Sequence, residues 1–253
     1  MKNITVICGP TAVGKTAYTI AIASALGGEI VNADSMQIYK YMDIGSAKPT
    51  PEERAACYHH LVDCIDPRTP FSVSDYQRLA KAAIADIFAR GKHPVISGGT
   101  GLYVNSLIYE MDFSVTPQTE ENTNPRREKL FALAEAQGKE FVHAVLRGYD
   151  PEAAERIHAN NLKKVVRAIE IYELTGQKPR AFSEALVPTK DYTCTLIGLT
   201  RDRAELYERV NKRVDSLVHS GLFEELEKLR AMGLSEDDIA MKGIGYKEII
   251  GCM

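Results

Sequence analysis

The sequence predicts a parallel α/β fold that carries an inserted all-helical subdomain. Short apolar runs alternate with helical stretches before residue 112, strand-like runs are missing from 112 to 190, and one returns after residue 190. Strands that alternate with helices are typical of a parallel sheet covered by helices. We therefore predict a discontinuous α/β core, residues 1–111 and 191–253, around a helical insertion, residues 112–190.

Three strands and two helices are predicted in order before the insertion. The β-branched run "ITVIC" is the first strand, the helix "TAYTIAIASAL" ends at Gly27-Gly28, and "EIVNA" is the second strand. Ser72 or Ser74 can cap a long amphipathic helix that ends at Gly91. The run "HPVISGG" follows as the third strand.

The insertion offers helices and no strand. They are "NPRREKLFALAEAQG", "EFVHAVLRGY", "DPEAAERIHA" and "NLKKVVRAIEIYELTG", and Pro125 and Pro151 lie where helix starts tolerate proline. After the insertion, "TCTLIGLT" predicts a fourth strand and "RAELYERVNKRVDSLVHSG" a long helix.

Composition narrows the class of protein. The chain has 253 residues, 45% hydrophobic and 26% charged, as in an ordinary globular protein. The net charge of −3 gives no general support for a nucleic-acid partner, so such a partner must be argued from local clusters. The five cysteines form no C-x-x-C pair, no apolar run approaches the ~18 residues that cross a bilayer, and the first strand leaves no room for a signal peptide. We expect a soluble, cytoplasmic monomer without a membrane partner.

The strongest motif is "GPTAVGKT", which fits G-x-x-x-x-G-K-[ST] between the first strand and the first helix. In such a loop the glycines turn backbone N–H groups onto an anion, and the helix N-terminus adds partial positive charge. Lys15 would reach the terminal phosphates and Thr16 would hold magnesium through its hydroxyl. The predicted polyphosphate site comprises Gly9, Pro10, Thr11, Ala12, Val13, Gly14, Lys15 and Thr16.

Asp34 and Thr100 follow the second and third predicted strands. The carboxyl ends of parallel strands share one rim, where ligands bind, so both residues should face the phosphate loop. Asp34 could bind a metal, orient a hydroxyl, accept a proton or cap the next turn. Thr100 could donate to a phosphate or substrate, or cap a turn.

Three classes of function fit this rim. A small-molecule or nucleoside kinase would use the carboxylate to take a proton from a hydroxyl, although the helical insertion is larger than a kinase lid needs. An enzyme of another kind would use the loop to hold a phosphate group that leaves its substrate. A non-catalytic, nucleotide-switched binding module would leave Asp34 and Thr100 without a role.

Further motifs resemble one family. In order, "GPTAVGKT", "NADSMQIYKYMDIGSAKP", "HHLVDCIDP", "FSVSDY", "GGTGLY" and "GIGYKE" are similar to those of bacterial-type tRNA dimethylallyltransferases (tRNA isopentenyltransferases). The resemblance runs from residue 4 to about residue 250 and implies a P-loop NTPase-like fold. It implies transfer of a dimethylallyl group from its diphosphate to the exocyclic amine of the adenosine beside the anticodon. A close variant with the same chemistry would act on free adenine nucleotides.

The resemblance also implies roles for the rim residues. Asp34 would be the general base, and Lys15, Thr100, Arg213 and magnesium on Thr16 would stabilise the leaving diphosphate. Ser35, Met36 and Gln37 would contact the target adenosine together with Asp34 and Thr100.

The resemblance places tRNA contacts in the insertion. They are Arg127, Lys163, Lys164, Val165, Val166 and Arg167. Without it, a basic helix is most simply a solvated face. The cations of "NPRREK" stand at a helix start, where the helix dipole disfavours them, which hints at a partner anion.

Two predictions for the basic segments have an alternative or a condition. Arg213 and Arg209 could form i,i+4 ion pairs with neighbouring glutamates instead of contacting the diphosphate. The family continues beyond "GIGYKEI" into a basic segment that grips the anticodon arm, so we expect tRNA affinity to improve when such a segment is appended.

Overall fold

A five-stranded, all-parallel sheet with strand order β3-β2-β4-β1-β5 forms the centre of the chain. The computed structural model describes residues 2–111, 113, 125–178 and 186–252. The strands are β1 Asn3–Cys8, β2 Glu29–Asn32, β3 His59–His60, β4 Pro94–Ser97 and β5 Thr193–Gly198. The predicted α/β fold class is confirmed, and the two-residue β3 is a strand that the sequence pattern missed because it is too short to show a period.

Eleven α-helices lie within the described residues. In the first part of the chain they are α1 Lys15–Ala25, α2 Pro51–Ala56, α3 Val73–Ala89 and α4 Gly101–Ile108. The later ones are α5 Pro125–Gln137, α6 Lys139–Tyr149, α7 Pro151–Arg156, α8 Leu162–Thr175, α9 Arg203–His219, α10 Leu222–Ala231 and α11 Tyr246–Cys252. None of the described helices is long and apolar enough to cross a membrane.

Burial of both faces of the sheet explains why the sequences of the first strands are continuous apolar runs. All four residues of β2 are buried, and Ile4, Val6 and Ile96 lie at 0% exposure in the main core. Strands covered on both faces need apolar side chains on both faces. In contrast, β5 pairs with β1 alone, and four of its six residues are exposed.

Capping explains where two helices begin. Ser72, not Ser74, caps α3: its hydroxyl accepts from Asp75 N at 3.2 Å, and the Asp75 carboxylate accepts from Ser72 N at 3.1 Å. Thr50 and Glu53 form the same reciprocal pair at the start of α2. The sequence signature of the pair at α2 is a hydroxyl residue followed three positions later by glutamate.

A buried carboxylate in β2 ties neighbouring segments together. Glu29, whose side chain is 5% exposed, accepts two hydrogen bonds from Arg90 at 2.5 and 2.7 Å, one from Lys92 at 2.6 Å and one from His60 at 2.7 Å. The Arg90 guanidinium holds the pKa of Glu29 well below its ordinary value, with Lys92 and His60 acting in the same direction.

The chain divides into two compact units. One comprises residues 1–109 and 188–253 and contains the sheet; the other, residues 110–187, contains α5 to α8. The second unit has an apolar core of its own, which includes Leu130, Val142 and Ile169 at 1% exposure or less. All four helices predicted for the insertion are present.

The chain leaves and re-enters the sheet unit at neighbouring points. Tyr109 and Pro188 form an antiparallel bridge, and one step further along Glu110 N donates to Val187 O at 2.7 Å. The helical unit is therefore connected to the sheet unit by two chain segments that lie next to each other.

Candidate active site

The carboxyl ends of β1, β2 and β4 bring three loops to one rim, as the sequence predicts. The loops after β2 and β4 are joined by backbone hydrogen bonds, from Ala33 N to Ser97 O at 2.7 Å and from Thr100 N to Ala33 O at 3.1 Å. A Cβ on Gly98 would overlap the carbonyl group of Ala33, so only glycine permits this approach. The segments that carry Asp34 and Thr100 are thus held against each other.

The phosphate loop is closed around the Lys15 ammonium. Ala12 and Gly14 adopt left-handed backbone conformations, with φ of 63° and 104°, and Gly14 forms the N-terminal cap of α1. Lys15 Nζ donates to the carbonyls of Gly9 and Pro10, both at 2.9 Å. Burial lowers the pKa of Lys15, and the charge of Asp34 acts in the opposite direction.

The two carboxylate oxygens of Asp34 differ in their surroundings. Both hydrogen bonds that its carboxylate accepts from the described residues reach Oδ1, from Met36 N at 2.9 Å and from Gln37 N at 3.3 Å. The other oxygen, Oδ2, is the one available to a ligand. Burial lowers the pKa of Arg213, and Asp34 opposes that shift as it does for Lys15. A carboxylate, an ammonium and a guanidinium therefore share this rim.

The i,i+4 alternative for Arg209 and Arg213 is wrong within the part of the chain that the structure describes. The glutamates of that alternative bind other cations: Glu205, four positions before Arg209, pairs with Arg201 at 2.5 Å, and Glu208 pairs with Lys212 at 2.6 Å. Arg213, half-buried on α9, remains beside Lys15 and Asp34.

Two more arginines border the phosphate loop, and sequence reasoning gave neither a site role. Arg201 Nε donates to Val13 O at 3.0 Å, and Arg209 Nε donates to Ala12 O at 2.7 Å. Their terminal nitrogens lie 4.0 and 3.9 Å from the position that a Cβ on Gly14 would occupy. These contacts join residues 188 and 197 positions apart, so helical spacing could not reveal them.

Thr100 is bonded to Ser35 and does not cap α4 with its hydroxyl. Ser35 N donates to Thr100 Oγ1 at 2.9 Å, and Thr100 Oγ1 donates to Ser35 Oγ at 3.1 Å. The hydroxyl proton of Thr100 is used in this contact, which makes Ser35 Oγ the donor that can face a ligand.

Gln37 is oriented by the segment that follows it. Its Nε2 donates to Ser46 O at 3.2 Å and to Ala47 O at 3.0 Å. Both amide hydrogens are then used, so the amide cannot offer a ligand a donor and an acceptor together. What Gln37 can offer a base in this arrangement is its amide oxygen, an acceptor.

An open cleft is lined by Lys15, Thr16, Asn32, Asp34 and His59, among other residues. Burial lowers the pKa of His59, which favours a neutral ring in the lining of the cleft. Among the described residues, no group of three or more His, Cys, Asp and Glu side chains could hold a metal ion. A divalent cation here would depend on hydroxyl groups and on oxygens of the bound ligand.

In the helical unit, the segment at the start of α8 presents two kinds of side chain. Lys163 and Lys164 are exposed, whereas Val165 and Val166 are core residues at 0% and 1% exposure. Side-chain contact with a ligand at this segment would therefore come from the lysines, and the two valines support the helix from within.

The arginines at the start of α5 have anionic partners inside the unit. Arg127 donates to both carboxylate oxygens of the buried Glu170 at 2.8 and 2.7 Å, and Arg126 pairs in the same way with Glu173. Arg167 also reaches Glu170, at 3.4 Å. The partner anion that the helix dipole argument asks for is thus present within the chain.

Comparisons with known proteins identify the family. The family described as IPP transferase matches residues 37–253, and that described as isopentenyl transferase matches residues 2–63. The chain belongs to the IPP transferase family. A tRNA dimethylallyltransferase of Alkaliphilus oremlandii is 51% identical over 250 residues, which are 99% of this chain and 79% of that protein. These relatives confirm the resemblance drawn from the motifs.

Solved structures of IPP transferases confirm the P-loop NTPase-like fold. The tRNA isopentenylpyrophosphate transferase of Bacillus halodurans is 41% identical, with a TM-score of 0.67 over 98% of this chain and 76% of that chain. A eukaryotic dimethylallyltransferase, described as acting on tRNA, is 29% identical, with a TM-score of 0.83 over 100% of this chain and 63% of that chain.

Proposed function

We propose that this IPP transferase moves a dimethylallyl group from dimethylallyl diphosphate to the exocyclic amine of the adenosine 3′-adjacent to the anticodon in tRNA. The carbon–oxygen bond to the diphosphate breaks, a carbon–nitrogen bond to N6 forms, the amine loses one proton, and diphosphate leaves. The observation that carries the proposal is the cleft that Lys15 and Thr16 of the phosphate loop line together with Asp34 and Gln37.

Asp34 is the general base in this proposal. The exocyclic amine of adenine is a weak nucleophile because its lone pair is delocalised into the ring. A carboxylate that accepts the departing proton contributes typically ~10²–10⁴-fold to such a step. Oδ1 holds the turn through Met36 N and Gln37 N, and Oδ2 takes the proton.

Gln37 supports selection of an amine. Its amide oxygen and Asp34 Oδ2 are both acceptors, and an exocyclic amine has two hydrogens to donate. A base with a carbonyl oxygen at that position would place an acceptor against two acceptors, which is unfavourable. The adenosine has to leave its stack to reach this rim, as is usual for enzymes that react with a base.

The diphosphate lies in the phosphate loop. Lys15, the N-terminus of α1 and Arg213 stabilise the charge that grows on the departing oxygen, and Ser35 and Thr100 lie on the neighbouring rim. The Thr16 hydroxyl, at the first turn of α1, fits a magnesium ion, which prefers oxygen ligands and usually keeps several from phosphate and water. When bound, the ion would neutralise charge on the leaving group.

Lys163 and Lys164 are the proposed tRNA contacts of the helical unit, because both are exposed at the start of α8. The net charge of −3 cannot attract RNA in general, so local cations must supply the attraction. Arg127 and Arg167, which are ion-paired with Glu170, could add further contacts to tRNA.

Labelled substrates test the proposal. The chain is incubated with labelled dimethylallyl diphosphate and tRNA, AMP or ATP separately, and in a parallel assay with γ-labelled ATP and nucleosides. Incorporation into tRNA alone supports the proposal. Incorporation into AMP or ATP would favour an enzyme of free nucleotides, and phosphate transfer from ATP would favour a kinase.

The cellular compartment and the oligomeric state are further parts of the proposal. Four of the five cysteines, Cys8, Cys57, Cys64 and Cys194, are free thiols, which supports a reducing compartment such as the cytoplasm. Light scattering tests whether the protein is the monomer that the sequence predicts.

A further inference from the structure

Glu225, on α10, is a buried carboxylate that the proposed reaction does not use. It is 7% exposed and accepts four hydrogen bonds. Oε2 accepts from Asp43 N and Ile44 N, both at 2.7 Å, and Oε1 accepts from Gly45 N at 2.9 Å and from the Tyr246 hydroxyl at 2.6 Å. Charge-assisted bonds of this kind are about twice as strong as neutral ones. The carboxylate therefore fixes three consecutive peptide groups of one loop.

The same loop orients Gln37. The residues next to those bonded by Glu225 are Ser46 and Ala47, whose carbonyls accept both amide hydrogens of Gln37. Ala47 has a left-handed backbone, with φ of 45°, which costs free energy in a residue with a side chain and needs support from its surroundings. Hydrogen bonds thus join Glu225 to residues 43–45 and the Gln37 amide to residues 46 and 47, and the peptide chain of one loop links the two sets.

The chain at the start of α11 contacts these segments at two further places. The ring of Tyr246, fully buried, lies so close to Gly45 that its hydroxyl oxygen would be 2.6 Å from a Cβ there. Gly243 packs in the same way against the Met36 side chain, one residue before Gln37. Gly243 and Tyr246 thus contact the chain at Met36 and at Gly45, before and after Gln37 in the sequence.

We infer that Glu225 is a positioning residue for transfer to the base. By fixing residues 43–45 it holds the Ser46 and Ala47 carbonyls, and these aim the Gln37 amide oxygen at the exocyclic amine beside Asp34. Glu225 itself touches no substrate. The inference rests on the proposed function, since it requires Gln37 to contact the target adenosine.

The substitution Glu225→Gln tests the inference with little change in volume. The amide places an NH₂ group against loop N–H donors, so at least one buried donor loses its acceptor. We expect kcat/KM for tRNA to fall about 10- to 100-fold, the effect of small displacements of a positioning group. The affinity for dimethylallyl diphosphate, measured by calorimetry, should not change. Glu227→Gln, an exposed position on the same helix, is the matched control and should behave as wild type.

A double-mutant cycle with Gln37→Ala distinguishes positioning from general support of the fold. If Glu225 acts through Gln37, adding Glu225→Gln to Gln37→Ala should lower kcat/KM less than about threefold further. Full additivity would overturn the positioning role while leaving the Gln37 contact intact. If Gln37→Ala alone left kcat/KM for tRNA unchanged, the base contact and this inference would both be wrong. Absence of transfer by the wild type would instead refute the proposed function.

Tyr246→Phe provides a milder test should Glu225→Gln fail to fold. It keeps the ring against Gly45 and removes one of the four hydrogen bonds to Glu225. We expect a decrease of about two- to fivefold in kcat/KM for tRNA, which disappears in the Gln37→Ala background. An equal decrease in both backgrounds would overturn the inference.

Discussion

Asp34→Asn separates the two roles of the carboxylate. The asparagine Oδ1 can still accept from Met36 N and Gln37 N, at 2.9 and 3.3 Å in the wild type, so the turn is retained. Only the second oxygen is replaced, by an NH₂ group that cannot accept a proton. The variant therefore removes the proposed base without removing the cap.

The usual contribution of a general base sets the expected size of the effect. Loss of a general base should lower the single-turnover rate of transfer at least ~10²-fold, which corresponds to about 2.7 kcal/mol of barrier. The diphosphate affinity should stay the same or rise up to about tenfold, because one negative charge beside Lys15 and Arg213 disappears.

Rapid-quench single-turnover assays with labelled dimethylallyl diphosphate measure the rate, and calorimetry measures the affinity. Asp215→Asn, at an exposed position on α9, is the matched control for removal of a carboxylate. Near-normal transfer by Asp34→Asn would leave the residue with its capping role alone. A loss of diphosphate affinity would indicate that it binds the metal instead.

Three further predictions concern the phosphate loop, the helical unit and the buried ion cluster. Lys15→Ala should abolish dimethylallyl diphosphate binding in calorimetry while circular dichroism shows an intact fold, because the ammonium that contacts the loop carbonyls is the proposed cation for the phosphates. Lys163→Glu with Lys164→Glu should weaken tRNA binding at low salt and lower the salt slope by about 0.7–0.9 for each phosphate that the protein no longer neutralises. Glu29→Gln should lower the free energy of unfolding at pH 7 by about 2–4 kcal/mol. Since the pKa of Glu29 is depressed in the folded state, its contribution is present above the unfolded pKa near 4.5 and is lost as the pH falls below it.

Each of these predictions has an outcome that would contradict it. Unchanged diphosphate affinity in Lys15→Ala would refute the phosphate site. Lys139→Glu with Arg147→Glu, exposed positions in the same unit, is the control for charge reversal, and an equal change in salt slope would show that position does not matter. Urea denaturation from pH 7 to pH 3 should show a flatter pH dependence for Glu29→Gln than for the wild type, and parallel curves would refute the linkage.

The rim could be predicted from the sequence because it follows from one topological rule. Parallel strands place their carboxyl ends together whatever the side chains, so Lys15, Asp34 and Thr100 meet once the strands are recognised. The capping boxes at Ser72 and Thr50 are equally local, since each consists of a hydroxyl residue and an acidic residue three positions later.

The remaining features depend on contacts that local patterns do not contain. Arg201 and Arg209 reach the phosphate loop from more than 180 residues away, and the spacing of α9 is equally compatible with ion pairs along the helix. The use of both Gln37 amide hydrogens by Ser46 and Ala47 depends on the conformation of a loop with unusual backbone angles. Such contacts are fixed by tertiary packing, which the residue order alone leaves undetermined.

The adjacency of Tyr109 and Pro188 makes the helical unit exchangeable by protein engineering. Residues opposite each other in an antiparallel bridge have Cα atoms about 5 Å apart, a gap that one or two glycines can close. Residues 110–187 could be excised, or replaced by the equivalent region of a relative, between these two adjacent points of the chain. Diphosphate binding could then be measured on the shortened core without the helical unit. Chimaeras would show which of the two units determines the preference among tRNAs.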